Sequence, residues 1–233
     1  HKFALAGGGI DYRGSGTVKG HLGWDEGKKS FRMGENGAYL NVATSVGETW
    51  NDSAGTRLSV LRESGSRRKL ETVSVIDGIG KPGEQLYAAR FFGDRAYLVT
   101  FRTTDPLYVV DLSDQQRPKI AGELEIDGYS DYLHPLSEDL LLGIGKDAVP
   151  DEGSADAGRV RGAWPQGVKI ALFDVSDPAD PREIDSLVLG RRGTESEVLW
   201  DHHAFSFVPA QGVEPARFAI PVRLHDTAPR WEG

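Results

Sequence analysis

The sequence predicts an all-β protein, and three observations carry that reading. Short runs rich in Val, Leu, Phe and Tyr recur between Gly, Asp, Asn and Pro breaks, the pattern of strands joined by turns. Helical periodicity is hard to find. One eight-residue phrase is written twice, DLSDQQRP at 111–118 and DVSDPADP at 174–181, each time between two apolar runs.

Taken in chain order, HKFALAGG (1–8) and GIDYRGSGTVKGHLG (9–23) read as the outer two strands of one unit, a half-blade at 1–22. The GGG at 7–9 is expected to be a wide hairpin turn, since no helix follows it and no GK[ST] closes it as in a phosphate loop. SFRMG (30–34), AYLNVATSV (38–46), TRLSVLRE (56–63) and KLETVSVI (69–76) then make four runs. The same order returns with YAARFF (87–92), RAYLVTF (95–101), PLYVVDL (106–112) and KIAGELEI (119–126). It returns again with DYLHPL (131–136), DLLLGIG (139–145), VKIALFDV (168–175) and REIDSLVL (182–189). HHAFSFVP (202–209) and RFAIPVRL (217–224) read as the inner two strands of a further unit.

A meander of four antiparallel strands, repeated, is the pattern of a propeller blade. The expected architecture is therefore a β-propeller segment with whole blades at 30–76, 84–126 and 130–189 and half-blades at 1–22 and 202–224, forming one domain or a piece of a larger one. The repeated DxSDxxxP phrase falls where the third strand ends. Its Asp or Ser side chain can bond nearby backbone N–H groups, and its proline stiffens the route into the fourth strand. A calcium site is the other reading of those aspartates, but the further acidic residues and turn glycine of a standard loop are missing. GETWNDSAG (47–55) and KDAVPDEGSADAGRVRGAWPQ (146–166) lengthen the connection between second and third strands and are expected to be surface loops. Open sheet edges at the two half-blades call for pairing. That pairing would either close a ring within one chain or exchange halves between two chains in a homodimer.

Composition bounds the function. The 233 residues are 39% hydrophobic and 27% charged, ordinary for a globular domain. No apolar run approaches the roughly 20 residues of a membrane helix, so no transmembrane segment is expected. A formal charge of −8 argues against nucleic acid as a partner. The chain has no cysteine, which removes disulfides, thiolate metal sites and a Cys nucleophile. Its opening, HKFALAGGG, has no initiator Met, basic stretch or cleavable apolar run, as expected of a processed chain or a piece of a longer one.

The stretch FFGDRAYLVTFRTTDPLYVVDLSDQQRPKIAGELEIDGYSDYLHPL, followed by GVKIALFDVSDPADPREIDSLVLGRRGTESEVLWDHHAF, resembles the secreted bacterial and archaeal family with a C-terminal β-propeller domain of unknown function. HKFAL, SGTVKGHL and the ATS of LNVATSV are similar to that family too. GWDEGKKSFRMGENG departs from it. The resemblance implies a propeller that is exported or envelope-associated, with a domain longer than this chain. It supplies no catalytic residues.

The first strand of each blade lines a propeller's central channel, which singles out Arg90, Asp131 with His134, and Asp201 with His202 and His203. Neutral imidazoles and carboxylates there would suit a zinc, manganese or iron ion, with Asp201, His134 and one of His202 or His203 as ligands. Alternation along a strand would point His202 and His203 to opposite faces, leaving at most one in the channel. Ser130, Ser196 and Ser206 lack any activating motif. Trp50 and Trp164, on the long connections, are candidates to anchor a ligand or partner. The expected function is a binding or scaffolding module for a protein or surface polymer. The alternative is a metal-assisted hydrolase or lyase.

Overall fold

The computed structural model describes residues 1–48, 53–65, 68–101, 105–150 and 163–226. The strands in order are β1 (Lys2–Ala6), β2 (Gly9–Gly14), β3 (Met33–Asn36), β4 (Tyr39–Val46), β5 (Gly55–Ser64), β6 (Lys69–Ile79), β7 (Gln85–Phe92), β8 (Arg95–Phe101) and β9 (Asp105–Asp111). They continue with β10 (Lys119–Ile126), β11 (Tyr129–Pro135), β12 (Leu140–Pro150), β13 (Ala163–Asp174), β14 (Arg182–Leu189), β15 (Glu195–Ser196), β16 (Ser206–Val208), β17 (Arg217–Ala219) and β18 (Val222–Arg223). Three four-stranded antiparallel sheets, β3–β6, β7–β10 and β11–β14, are simple meanders. The inner strand β7 packs against both β3 and β11, so the three sheets fan around a common axis as propeller blades.

Why the second blade reads as nearly unbroken apolar runs follows from this stacking. A strand turns alternate side chains to opposite faces, and both faces of this blade are covered. Ala96 and Leu98 of β8, with Tyr108 and Val110 of β9, pack on Ala43 and Leu58 of the first blade. Tyr97 and Val99, with Leu107 and Val109, pack on Leu133, Leu141 and Phe173 of the third. The inner strands approach closely: a Cβ on Gly34 would stand only 2.3 Å from Phe91 Cβ, so only glycine fits at that crossing.

The twice-written phrase makes the same corner twice. Asp111 Oδ1 accepts from the Ser113 N–H and Asp174 Oδ1 from the Ser176 N–H, both at 2.9 Å. The following buried residues, Leu112 and Val175, donate their N–H groups to Asp94 O and Asp139 O, both at 2.8 Å. Hydrogen bonds from the Ser113 and Ser176 side chains, and then from their N–H groups, hold the Asp111 and Asp174 carboxyls below the usual range.

Several expectations are corrected. Ser30–Arg32 continues a short helix, α1 (Glu26–Lys29), as a 3₁₀ turn, so the first blade begins at Met33. His202–Ala204 is also a 3₁₀ turn, leaving only Ser206–Val208 as strand where 202–209 was expected. The region 146–166 is not simply a loop. β12 and β13 continue past a bulge at Lys146 as a two-stranded ribbon, pairing Val149 with Trp164, while 151–162 lies outside the described residues. At the chain ends β1 pairs with β2 and β16 with β17, and among the described residues neither hairpin pairs with the other. Residues 15–21 instead run beside the first blade, bridging Ser15 to Lys69 and His21 to Ser45.

Candidate functional site

The segment Gly23–Arg32, between the N-terminal hairpin and the first blade, builds the polar centre. Asp25 and Glu26 open the short helix and Lys28 and Lys29 close it, charges placed to suit the helix ends. The helix and the 3₁₀ turn that follows it bring Lys28, Phe31 and Arg32 to the axis. Lys28 Nζ donates to Asp131 Oδ1 of β11 at 2.6 Å, and both side chains are buried. Burial pushes the Asp131 carboxyl up, and the Lys28 charge pulls it back.

Around Phe31 lies a cluster of rings and one cation. The Arg90 guanidinium stands 5.1 Å from the Phe31 ring centroid, in cation–π range. His202 meets Phe31 edge-on at 4.7 Å and Tyr132 at 4.9 Å. Neither nitrogen of His202 makes a hydrogen bond of normal geometry. Burial and the nearby Lys28 charge lower its pKa to about 3, against a slight pull upward from the Asp131 backbone. His134 Nδ1 shares a hydrogen bond with the Tyr132 hydroxyl at 3.0 Å, and its ring packs on Phe205 and Phe207. Its pKa falls to about 4, through burial first and then Arg90. Both imidazoles are neutral near pH 7 and are held by rings.

The structure thus brings Arg90, Asp131, His134 and His202 into one axial neighbourhood, but it separates the roles of WDHHAF. Asp201 caps the 3₁₀ turn, accepting from the His203 N–H at 3.1 Å and meeting His203 Nδ1 at 2.8 Å. The turn, unlike a strand, buries His202 and leaves His203 exposed. Among the described residues no three His, Asp or Glu side chains gather as a metal set. Ser196 donates to Pro221 O at 2.7 Å, a structural bond from β15 to the residue before β18. Trp164 sits on β13, 44% exposed, with the Arg192 guanidinium 4.6 Å from its ring centroid. Trp50 lies outside the described residues.

Next to this cluster opens a cleft of about 780 Å³. Arg32 lines it, 6% exposed. Its Nη2 donates to Leu86 O at 2.6 Å and its Nη1 weakly to Ser45 Oγ at 3.4 Å, while the buried Nε has no partner. Among the described residues no carboxylate lies within ion-pair distance of it. Burial lowers its pKa to about 10, partly offset by Asp25 and Asp131. It remains a cation at neutral pH, largely stripped of water and short of counter-charge. The rim is tied to the blade: Thr44 Oγ1 donates to Lys19 O at 2.8 Å, and His21 and Ser45 exchange two backbone bonds at 3.0 Å. His21 Nδ1 accepts from the Gly23 N–H at 3.1 Å. The Trp24 ring, 89% exposed, lies 5.6 Å from the His21 ring.

Sequence reasoning singled out neither Arg32, Lys28 nor Trp24. The signal available was the charge order of DEGKK, acidic then basic within one turn, which marks a helix.

The chain is 39% identical over 197 residues to an uncharacterized protein of Methanocaldococcus jannaschii, covering 82% of this chain and 26% of that protein. It is 39% identical over 212 residues to an uncharacterized protein of Archaeoglobus fulgidus, covering 91% of this chain and 28% of that protein. The chain therefore spans about a quarter of these relatives' length. Among solved structures, an acylaminoacyl peptidase of Pyrococcus horikoshii aligns with a TM-score of 0.44 at 15% identity, over 87% of this chain and 33% of that one. Built of four-stranded antiparallel blades and matched by the beta propeller domain model over residues 1–233, the chain belongs to the beta propeller domain family.

Proposed function

We propose that the chain is an extracytoplasmic binding module whose ligand seats in the cleft before Arg32. One observation carries the reading: the buried Arg32 lines a cleft, its Nε has no hydrogen-bond partner, and among the described residues no carboxylate lies within ion-pair distance of its guanidinium. A buried cation of this kind costs stability unless something neutralises it, so the cleft favours a ligand carrying negative charge. Export rests on the family resemblance alone, and fractionation of the native cells tests it.

Binding is tested by thermal unfolding with and without millimolar glucuronate, succinate and acetate. A ligand that binds only the native state raises the melting temperature. Wild-type protein should be stabilised by at least one of these anions, and Arg32→Gln should lose that increment. Equal shifts in both proteins would remove the cleft as the site.

A further inference from the structure

We infer that the cleft takes a carboxylated sugar, with Arg32 receiving the carboxylate and Trp24 stacking on the pyranose ring; this rests on the cleft being a binding site. Three features separate this ligand from other anions. The first is charge balance. The lining contains three cations, Lys19, Lys28 and Arg32, and three acids, Asp25, Glu48 and Glu84. Lys28 is already spent on Asp131. A polyanion such as a nucleic acid or polyphosphate would meet as much repulsion as attraction, because it needs clustered cations. One carboxylate on an otherwise uncharged body meets the Arg32 guanidinium, which among the described residues has no carboxylate within ion-pair distance, and a guanidinium fork suits a carboxylate.

The second feature is the supply of acceptors. Glu84 is committed, accepting from the Lys81 N–H at 2.8 Å and the Thr100 hydroxyl at 2.6 Å. Asp25, with its side chain 58% exposed, lies 3.7 Å from Lys28, and its carboxylate retains room for further donors. Carboxylates at a cleft wall repel an acidic peptide but accept hydrogen bonds from hydroxyls. Sugars are dense in hydroxyls.

The third is the aromatic shelf. The indole, 89% exposed at the rim of a polar cleft, has only the His21 ring beside it among the described aromatic contacts. The bonds holding Lys19 and His21 to β4 fix the segment that leads into it. A flat ring of this kind offers apolar area at low entropy cost, and the C–H face of a pyranose is its complement. His21, with Nδ1 occupied by the Gly23 N–H, presents Nε2–H as one more donor.

The experiment is isothermal titration with four probes: a galactose tetrasaccharide ending in a single galacturonic acid, its carboxyl-reduced neutral tetrasaccharide, a tetraglutamate peptide and inorganic phosphate. The acid sugar should bind most tightly. Trp24→Ala, which removes an exposed ring and leaves the fold intact, should weaken it roughly fivefold to tenfold. Arg32→Gln should weaken it about tenfold or more. If Arg32→Gln fails to fold, the Trp24 variant and the neutral sugar still decide. Phosphate or tetraglutamate matching the acid sugar, with no effect of Trp24→Ala, would overturn the sugar assignment and leave the anion-binding cleft standing. A neutral tetrasaccharide as tight as the acid would overturn the role given to Arg32. No binding by any probe would remove both the sugar and the cleft.

Discussion

Lys28 and Asp131 lie 103 positions apart in sequence and 2.6 Å apart in space, and each side chain is 8% exposed. This ion pair fastens the short helix before the first blade to the inner strand of the third. Removing one partner of a buried pair leaves an uncompensated charge, whereas replacing both with apolar groups is often neutral. Asp131→Asn should therefore cost about 3–5 kcal/mol in urea unfolding. The double variant Lys28→Met with Asp131→Leu should recover much of that loss. Additive losses in the double variant would show that the pair does not act as a unit.

His202 makes stability depend on pH. Its native pKa, about 3, lies below the ordinary value of 6.5, so between those values the unfolded chain binds a proton that the native state refuses. Stability must then rise with pH across that window, and it is lost as pH falls below about 6.5. From pH 7 to pH 5 the contribution is about 2 kcal/mol at most. Asp131 acts in the opposite sense, since its raised pKa lets the native state take up a proton first. The informative quantity is therefore a difference between proteins. His202→Gln should lose less stability than wild type over this interval in denaturant titrations, and equal slopes would exclude His202 as the source.

The two corners should behave as equivalent parts. Asp111→Ala and Asp174→Ala each delete one 2.9 Å bond to a backbone N–H two residues on. Both should lower the melting temperature by comparable amounts, and the effects should add, because separated sites without shared partners rarely couple. Calcium or a chelator should leave the wild-type melting temperature unchanged. A calcium-dependent rise that either substitution abolishes would restore the metal reading of the phrase.

Strands were legible where both faces of a blade are buried, since RAYLVTF and LYVVDL allow no helical stripe and no polar face. The repeated corner was legible because its bonds are local. The axial site was legible only in part. Arg90, Asp131 and His134 sit on inner strands whose place the repeat fixes. His202 and His203 were assigned to a strand, because nothing in WDHHAF states that Asp201 caps a turn rather than ending a ladder. Arg32 was missed for a related reason: its burial depends on a helical turn of a few residues, too short for any period to register. Long-range partners such as Lys28 and Asp131 carry no sequence signal in a single chain.

Gly23 is the most direct probe of how Arg32 is held. Its φ is +84°, and a Cβ there would stand 2.9 Å from Arg32 Nη1 and 3.1 Å from Cζ. Alanine at this position carries two penalties, left-handed backbone strain of about 1–3 kcal/mol and pressure on the guanidinium. Gly93 provides the control, since its φ is +55° but no atom lies within 4 Å of the Cβ position. Gly93→Ala should lower stability through strain alone and leave carboxylate-induced stabilisation unchanged. Gly23→Ala should lower stability and reduce the carboxylate response as well, because the guanidinium must move from its place beside Leu86 O. The comparison is made by measuring the melting-temperature increment from glucuronate in both variants. Equal increments in the two would mean that Arg32 position does not govern the cleft, whatever the cost to the fold.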